Sequence, residues 1–265
     1  MKIKAIIFGI ISVIAGLIYF VQDVVSLFAQ VFETVGQEVV VQQGESLQQE
    51  IYQYPKVGKN TPTQILGYTG HTLSYNNKTL LPNWVAYELT RKEAEGELPR
   101  KDRFRQDPHV NGRQAEETDY KHSGWDRGHM APAGDMKWSS KAMDDTYYFT
   151  NICPQNRQLN GGDWKELEEQ CRRWAIKYGK VYIVCGPIVG ENKHGKLNGR
   201  VVIPDGFYKI VRYSTPKGEV VKGYVFNNPP KRKSTLDTRA PKPRPLESYV
   251  KPISEIEKLT GIKFI

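Results

Sequence analysis

One stretch of this chain has the period of a helix, and the other apolar runs are mostly too short to share it. Trp164, Leu167, Cys171, Trp174, Ala175 and Tyr178 recur at helical spacing and form a single stripe. Asp163 stands where a cap belongs, Glu166 completes a capping-box pattern, and Gly179 follows as a stop. The remaining runs are strand-sized: Gln64 to Tyr68, Thr72 to Tyr75, Trp84 to Leu89, Thr146 to Ile152, Phe207 to Tyr213 and Val220 to Phe226. Val181 to Cys185 is apolar without interruption, which predicts a strand buried on both faces and ending at Gly186-Pro187. A second helix is expected from Ser254 to just before Gly261, and Glu93 to Val110 reads as a long surface loop. Many strands with few helices define an α+β class.

The first 22 residues are a different material. Ala5 to Val21 carry no charge, behind Lys2 and Lys4 and ahead of Asp23. That length is at the short end for a bilayer span and long for a signal-peptide core. We read it as an uncleaved membrane anchor, with a cleaved signal as the alternative; the positive flank places the remainder on the extracytoplasmic side. Residues 23–60 read as a stalk and 61–265 as one domain large enough for a real core.

The formal net charge is +9, which favours polyanionic partners, and Pro229 to Pro245 is a basic, proline-rich loop. Cys153, Cys171 and Cys185 are too few for a disulfide framework, although one bridge is allowed in an oxidising compartment. The lack of a CxxC pair argues against a thiolate zinc site.

The chemistry concentrates at Asp126-Arg127-Gly128-His129. Glycine before the histidine permits a turn or close approach, and an imidazole titrating near neutrality is suited to take a proton from water. A second cluster runs from Thr150-Asn151 through Pro154-Gln155 to Leu159-Asn160 and Leu167-Glu168. On the helix, Glu168 flanks the buried stripe while Glu166 and Glu169 point away. A carboxylate there needs a partner, and Asn160 lies on roughly the same side. An amide oxygen with a nearby carboxylate suits a hard, hydrated divalent ion; a simple Glu168–Arg172 ion pair is the alternative. His71, His109, His122 and His194 sit in polar text and read as surface residues, a rim role being the alternative for His122; Trp125 and Trp138 read as core, with base stacking as the alternative.

These segments resemble the DNA/RNA non-specific endonucleases of the ββα-metal class. The family's Asp-Arg-Gly-His motif is matched at Asp126 to His129, its Thr-Asn-x-x-Pro-Gln at Thr150 to Gln155, and its Leu-Asn-x-x-x-Trp-x-x-Leu-Glu at Leu159 to Glu168. The resemblance runs from roughly Gln64 to Ile265. It implies a mixed, mainly antiparallel sheet with flanking helices and a ββα-metal motif. It also implies metal-dependent hydrolysis of DNA and RNA, leaving 5′-phosphate ends. His129 would be the general base and Asn160 the protein ligand to Mg²⁺, with Mn²⁺ as a substitute. Glu168 would hold metal-bound water, and Asn151 would orient the site. Asp126 and Arg127 would support the loop, Arg127 near the substrate. Arg100 is the expected phosphate clamp and Arg103 its competitor. Backbone contacts carry no base information, so little sequence preference follows. A membrane-tethered nucleic-acid receptor on the same fold and a hydrolase of another polyanion are the competing readings.

Overall fold

The structure, a computed structural model, describes residues 54–230 and 244–264, with the backbone of Val39–Val40. The expected membrane segment, nearly all of the stalk and most of the basic loop lie outside the described residues. Among the described residues no helix is long and apolar enough to cross a membrane.

The α+β expectation is met. Strands Gln64–Gly67, Thr72–Asn76, Leu81–Thr90, Lys180–Ile188, Gly206–Thr215, Gly218–Asn227 and Val250–Lys251 lie side by side in that order, each antiparallel to the next. Alternation along Gly206–Thr215 explains the two layers. Phe207, Lys209, Val211 and Tyr213 belong to one face, Tyr208 and Ile210 to the other. The first face packs against the 16-residue helix Asp163–Tyr178. Trp164 is fully buried there, its ring 5.7 Å from both Phe207 and Phe226, and Trp174 and Tyr178 stack on Tyr213. Each such side chain contributes about 1.5–3 kcal/mol by leaving water. On the opposite face Ile256, from the helix Ile253–Thr260, joins Ile65, Trp84, Tyr208 and Ile210.

Several local expectations are corrected. Gly162, not Asp163, is the residue that precedes the long helix; the Asp163 carboxylate instead accepts from Arg244 N and the Tyr249 hydroxyl. Tertiary partners outcompeted the local cap. Gly179 does stop the helix, with a φ of 96° that glycine adopts readily. Thr146 to Ile152 is not one strand: Phe149–Asn151 is a 3₁₀ turn, and Ile152–Gln155 is the strand. The run Lys180–Ile188 continues past Gly186-Pro187, and Tyr182 and Val184 are only half-buried. Glu93 to Val110 begins in a helical turn, Arg91–Ala94, closed by a Thr90–Glu93 capping box. All three cysteines are buried and free, so the allowed bridge is not made.

Candidate active site

The motif Asp126–His129 is itself a strand and pairs antiparallel with Ile152–Gln155. This small hairpin leads through the helix Arg157–Asn160 into the long helix, giving the expected ββα order. The hairpin is anchored at both ends. At one, Asn228 donates to Pro154 O and Pro204 O and accepts from Asn156 N, joining it to the main sheet. Asn156 then caps the short helix, its Oδ1 accepting from Gln158 N at 2.8 Å. At the other, Met130 O accepts from the Cys185 thiol in the middle of the sheet.

Gly128 lies in the strand rather than at a turn, and it serves a close approach. A Cβ built there would lie 2.2 Å from Gln155 Oε1 and 2.6 Å from Gln155 Cβ. The missing side chain is what lets Gln155 pack across the hairpin.

His129 is 8% exposed. Its ring is flanked by Phe104, at 5.4 Å, and by Tyr147, edge-on at 5.1 Å. Nε2 is enclosed without a hydrogen-bond partner. Burial, and then the Arg100 guanidinium, push the imidazole down to about 3, against partial opposition from Asp102. The ring is therefore neutral at physiological pH, but burial and Arg100 also lower its proton affinity well below the near-neutral titration expected from the sequence. Arg100 donates to Asp102 Oδ1 at 2.7 Å and to the Tyr147 hydroxyl at 2.9 Å, so it belongs to the histidine's cluster. Arg103 is exposed, and its carbonyl accepts from Arg105. Of the two arginines, the geometry brings Arg100 to the site. Arg127 lies 4.7 Å over the Phe104 ring and pairs with Glu117.

Asp126 does more than support a loop. Its Oδ2 accepts from Asn160 Nδ2 at 3.1 Å and its Oδ1 from Arg157 Nε at 3.2 Å. The amide nitrogen is thereby engaged, and the carbonyl oxygen is the atom of this amide able to ligate a cation. Asp126 and His129 bound one strand, so Asn160 is tied to a residue about 10 Å along it from the histidine.

Asn151, expected to orient the site, acts through hydrogen bonds from inside the fold. It is wholly buried, and both ends of its amide are committed. Oδ1 accepts from Ala131 N, while Nδ2 donates to Ala131 O and Thr146 O, each at 2.9 Å. Asn151 positions the segment that follows His129.

Glu168 does not take the simple pairing with Arg172. Arg172 donates to Asp135 at 2.6 Å, and Asp135 also accepts from the Tyr87 hydroxyl. Burial pushes the Glu168 carboxyl up to about 7, opposed first by Lys209. Lys209 is fully buried in the sheet, its ammonium 4.4 Å over the Trp164 ring and without a hydrogen-bond partner. It supplies the positive charge that opposes the upward shift of Glu168.

Sequence reasoning missed Phe104, Tyr147, Asp102, Arg157 and Lys209 in the site. Nothing in their spacing marks them, because long-range folding brings them there. His71, read as a surface residue, is buried against Tyr68 and held down to about 4 by burial.

A family model described as DNA/RNA non-specific endonuclease matches residues 49–265. The chain belongs to that family. Among its relatives, the mitochondrial nuclease EXOG of Xenopus laevis is 32% identical over 230 residues, covering 81% of this chain and 61% of the relative. Mitochondrial endonuclease G of Homo sapiens is 31% identical over 79% of this chain and 72% of its own length. Nuclease C1 of Cunninghamella echinulata var. echinulata is 31% identical over 77% and 83%. The chain thus spans less than two thirds of the EXOG relatives it matches, 61% of that of Xenopus laevis and 46% of that of Danio rerio. A crystal structure of an EndoG/EndoGI complex superposes with a TM-score of 0.65 at 26% identity, covering 76% of this chain and 84% of that one.

Membership implies a metal, and the residues fit one. Among the described residues no group of three or more His, Cys, Asp or Glu side chains could hold an ion. One amide oxygen, fixed by Asp126, with a mostly buried carboxylate on the next helix, suits an ion that keeps most of its water.

Proposed function

We propose that this protein is a metal-dependent endonuclease that hydrolyses DNA and RNA with little sequence preference and leaves 5′-phosphate ends. The observation that carries this reading is the pairing of a buried, neutral His129 beside Arg100 with an Asn160 amide locked to the same hairpin by Asp126. A neutral imidazole is free to accept a proton, which a pure binding module does not require.

His129 deprotonates the attacking water, and Nδ1 is the nitrogen suited to it because Nε2 is enclosed. Arg100 meets the charge that grows on the phosphate as it becomes pentacoordinate. Its bonds to Asp102 and Tyr147 fix its orientation before substrate arrives. Asn160 and, through water, Glu168 would hold a divalent cation, Mg²⁺ or Mn²⁺. That ion, when bound, neutralises developing charge and stabilises the departing alkoxide. Asn151, Asp126 and Lys209 hold these groups in place. The site recognises phosphate, sugar and charge, so sequence selectivity is low.

Purified full-length protein incubated with plasmid and with RNA should degrade both when Mg²⁺ is present and neither in chelator, and His129→Ala should lose cleavage. Nucleic-acid binding by the wild type without any cleavage would instead identify a receptor. The uncharged Ala5 to Val21 stretch supports a membrane-anchored protein whose nuclease domain faces outward. Protease added to intact cells should then remove the domain; protection until lysis would overturn that placement.

A further inference from the structure

Among the described residues, an open groove of about 570 Å³ lies next to the hairpin, outside the constellation just described. His122, Trp125, His194, Lys196 and Asn198 contribute to its lining. Its volume is that of a small-ligand site. Trp125 is 7% exposed and forms a wall, with the half-buried His194 ring 5.4 Å from it. His122 is exposed, on backbone with φ 57°.

The groove is held open by fixed contacts. Asn192 N and Lys193 N donate to the Asp205 carboxylate, at 3.1 and 2.8 Å, and pin the loop that carries His194. Asn198 Nδ2 donates to Thr118 O at 3.1 Å, tying the far wall to the segment that leads into His122. The acid in the lining, Asp119, is buried, accepts from Glu116 N and faces Arg200. Its charge is therefore met from within, and the exposed ammonium of Lys196 sets the sign of the rim.

The position of the groove matters as much as its lining. Trp125 directly precedes Asp126, so along the strand it stands about 13 Å from His129. That is within about four nucleotides of duplex rise. A substrate strand that runs from a phosphate at His129 along the hairpin would reach this groove.

We propose that the groove is a subsite for one unpaired nucleobase of the substrate strand, stacked on His194 over Trp125, with Lys196 against a neighbouring phosphate. This rests on the nuclease reading. Stacking on ring faces beside one cation is tolerant of which base is present, in keeping with low sequence preference.

The test uses full-length His129→Ala protein in chelator, so that binding is read without cleavage, and a fluorescent single-stranded decamer. An abasic residue is moved through the oligonucleotide one position at a time, and anisotropy gives each affinity. We expect one position at which removing the base weakens binding by about 5- to 150-fold, the range that single-base stacking confers. That penalty should vanish when His194→Ala is added, while circular dichroism shows the fold retained. Lys196→Ala should lower the slope of log affinity against log salt by about one phosphate contact. Equal binding of every abasic oligonucleotide, or a penalty that persists in His194→Ala, overturns the subsite and leaves the nuclease reading standing. No binding of any oligonucleotide overturns both.

Discussion

Asn151→Ala should be among the most damaging single changes in this protein, although the side chain touches no solvent. The substitution removes three hydrogen bonds and strands their partners, Ala131 N, Ala131 O and Thr146 O, in the interior. Each buried group left unsatisfied costs about 1–3 kcal/mol. Together that is about 3–9 kcal/mol, against a total stability of about 5–15 kcal/mol for a domain. Asn151→Asp refines the argument because its shape is unchanged. An ionised carboxylate would still accept from Ala131 N but would face two carbonyl oxygens; once protonated it could donate to one of them. Asn151→Asp should therefore be destabilised strongly at pH 8 and regain part of the loss as pH falls. Urea unfolding of wild type and both variants at several pH values measures this, with cleavage rates alongside. An Asn151→Ala variant within about 1 kcal/mol of wild type would refute the reasoning, since a single unsatisfied buried partner should cost that much.

Gly128→Ala should destabilise by about 1–3 kcal/mol through overpacking and lower activity by displacing His129, because its Cβ would collide with Gln155. Pairing it with Gln155→Gly should restore part of both, read by thermal melting and plasmid cleavage. Glu168 has a folded-state pKa raised to about 7 from an ordinary 4.5. Its contribution is present in full below about pH 4.5 and is lost as pH rises to 7. The metal-free protein should lose about 3 kcal/mol over that window, and Glu168→Gln should flatten the dependence, as denaturation at stepped pH would show. The free cysteines, buried as they are, should resist a thiol reagent in native protein and react only on unfolding, with no change in Tm on adding reductant.

Much of the fold was legible because it rests on local periodicity. The stripe from Trp164 to Tyr178 needed only helical spacing, and the runs in 206–227 needed only alternation. Legibility failed where a tertiary partner outbid a local rule. Asp163 looked like a cap but was claimed by Tyr249 and Arg244, from a segment about 80 residues away. Thr146 to Ile152 looked like a strand, yet Asn151 is drawn inward to bind Ala131 and Thr146, and the chain turns there. His71 looked superficial because its neighbours in sequence are polar; its neighbours in space are Tyr68 and the core.

By itself, the sequence determined the α+β class, the long helix and the residue types of the site, since these depend on side-chain period and on a motif contiguous along the chain. The tertiary structure alone decided that Arg100 rather than Arg103 joins His129, that Asp126 holds Asn160, and that the Lys209 charge opposes the upward shift of Glu168. Burial and long-range charge set those outcomes, and both are properties of where the chain returns to itself.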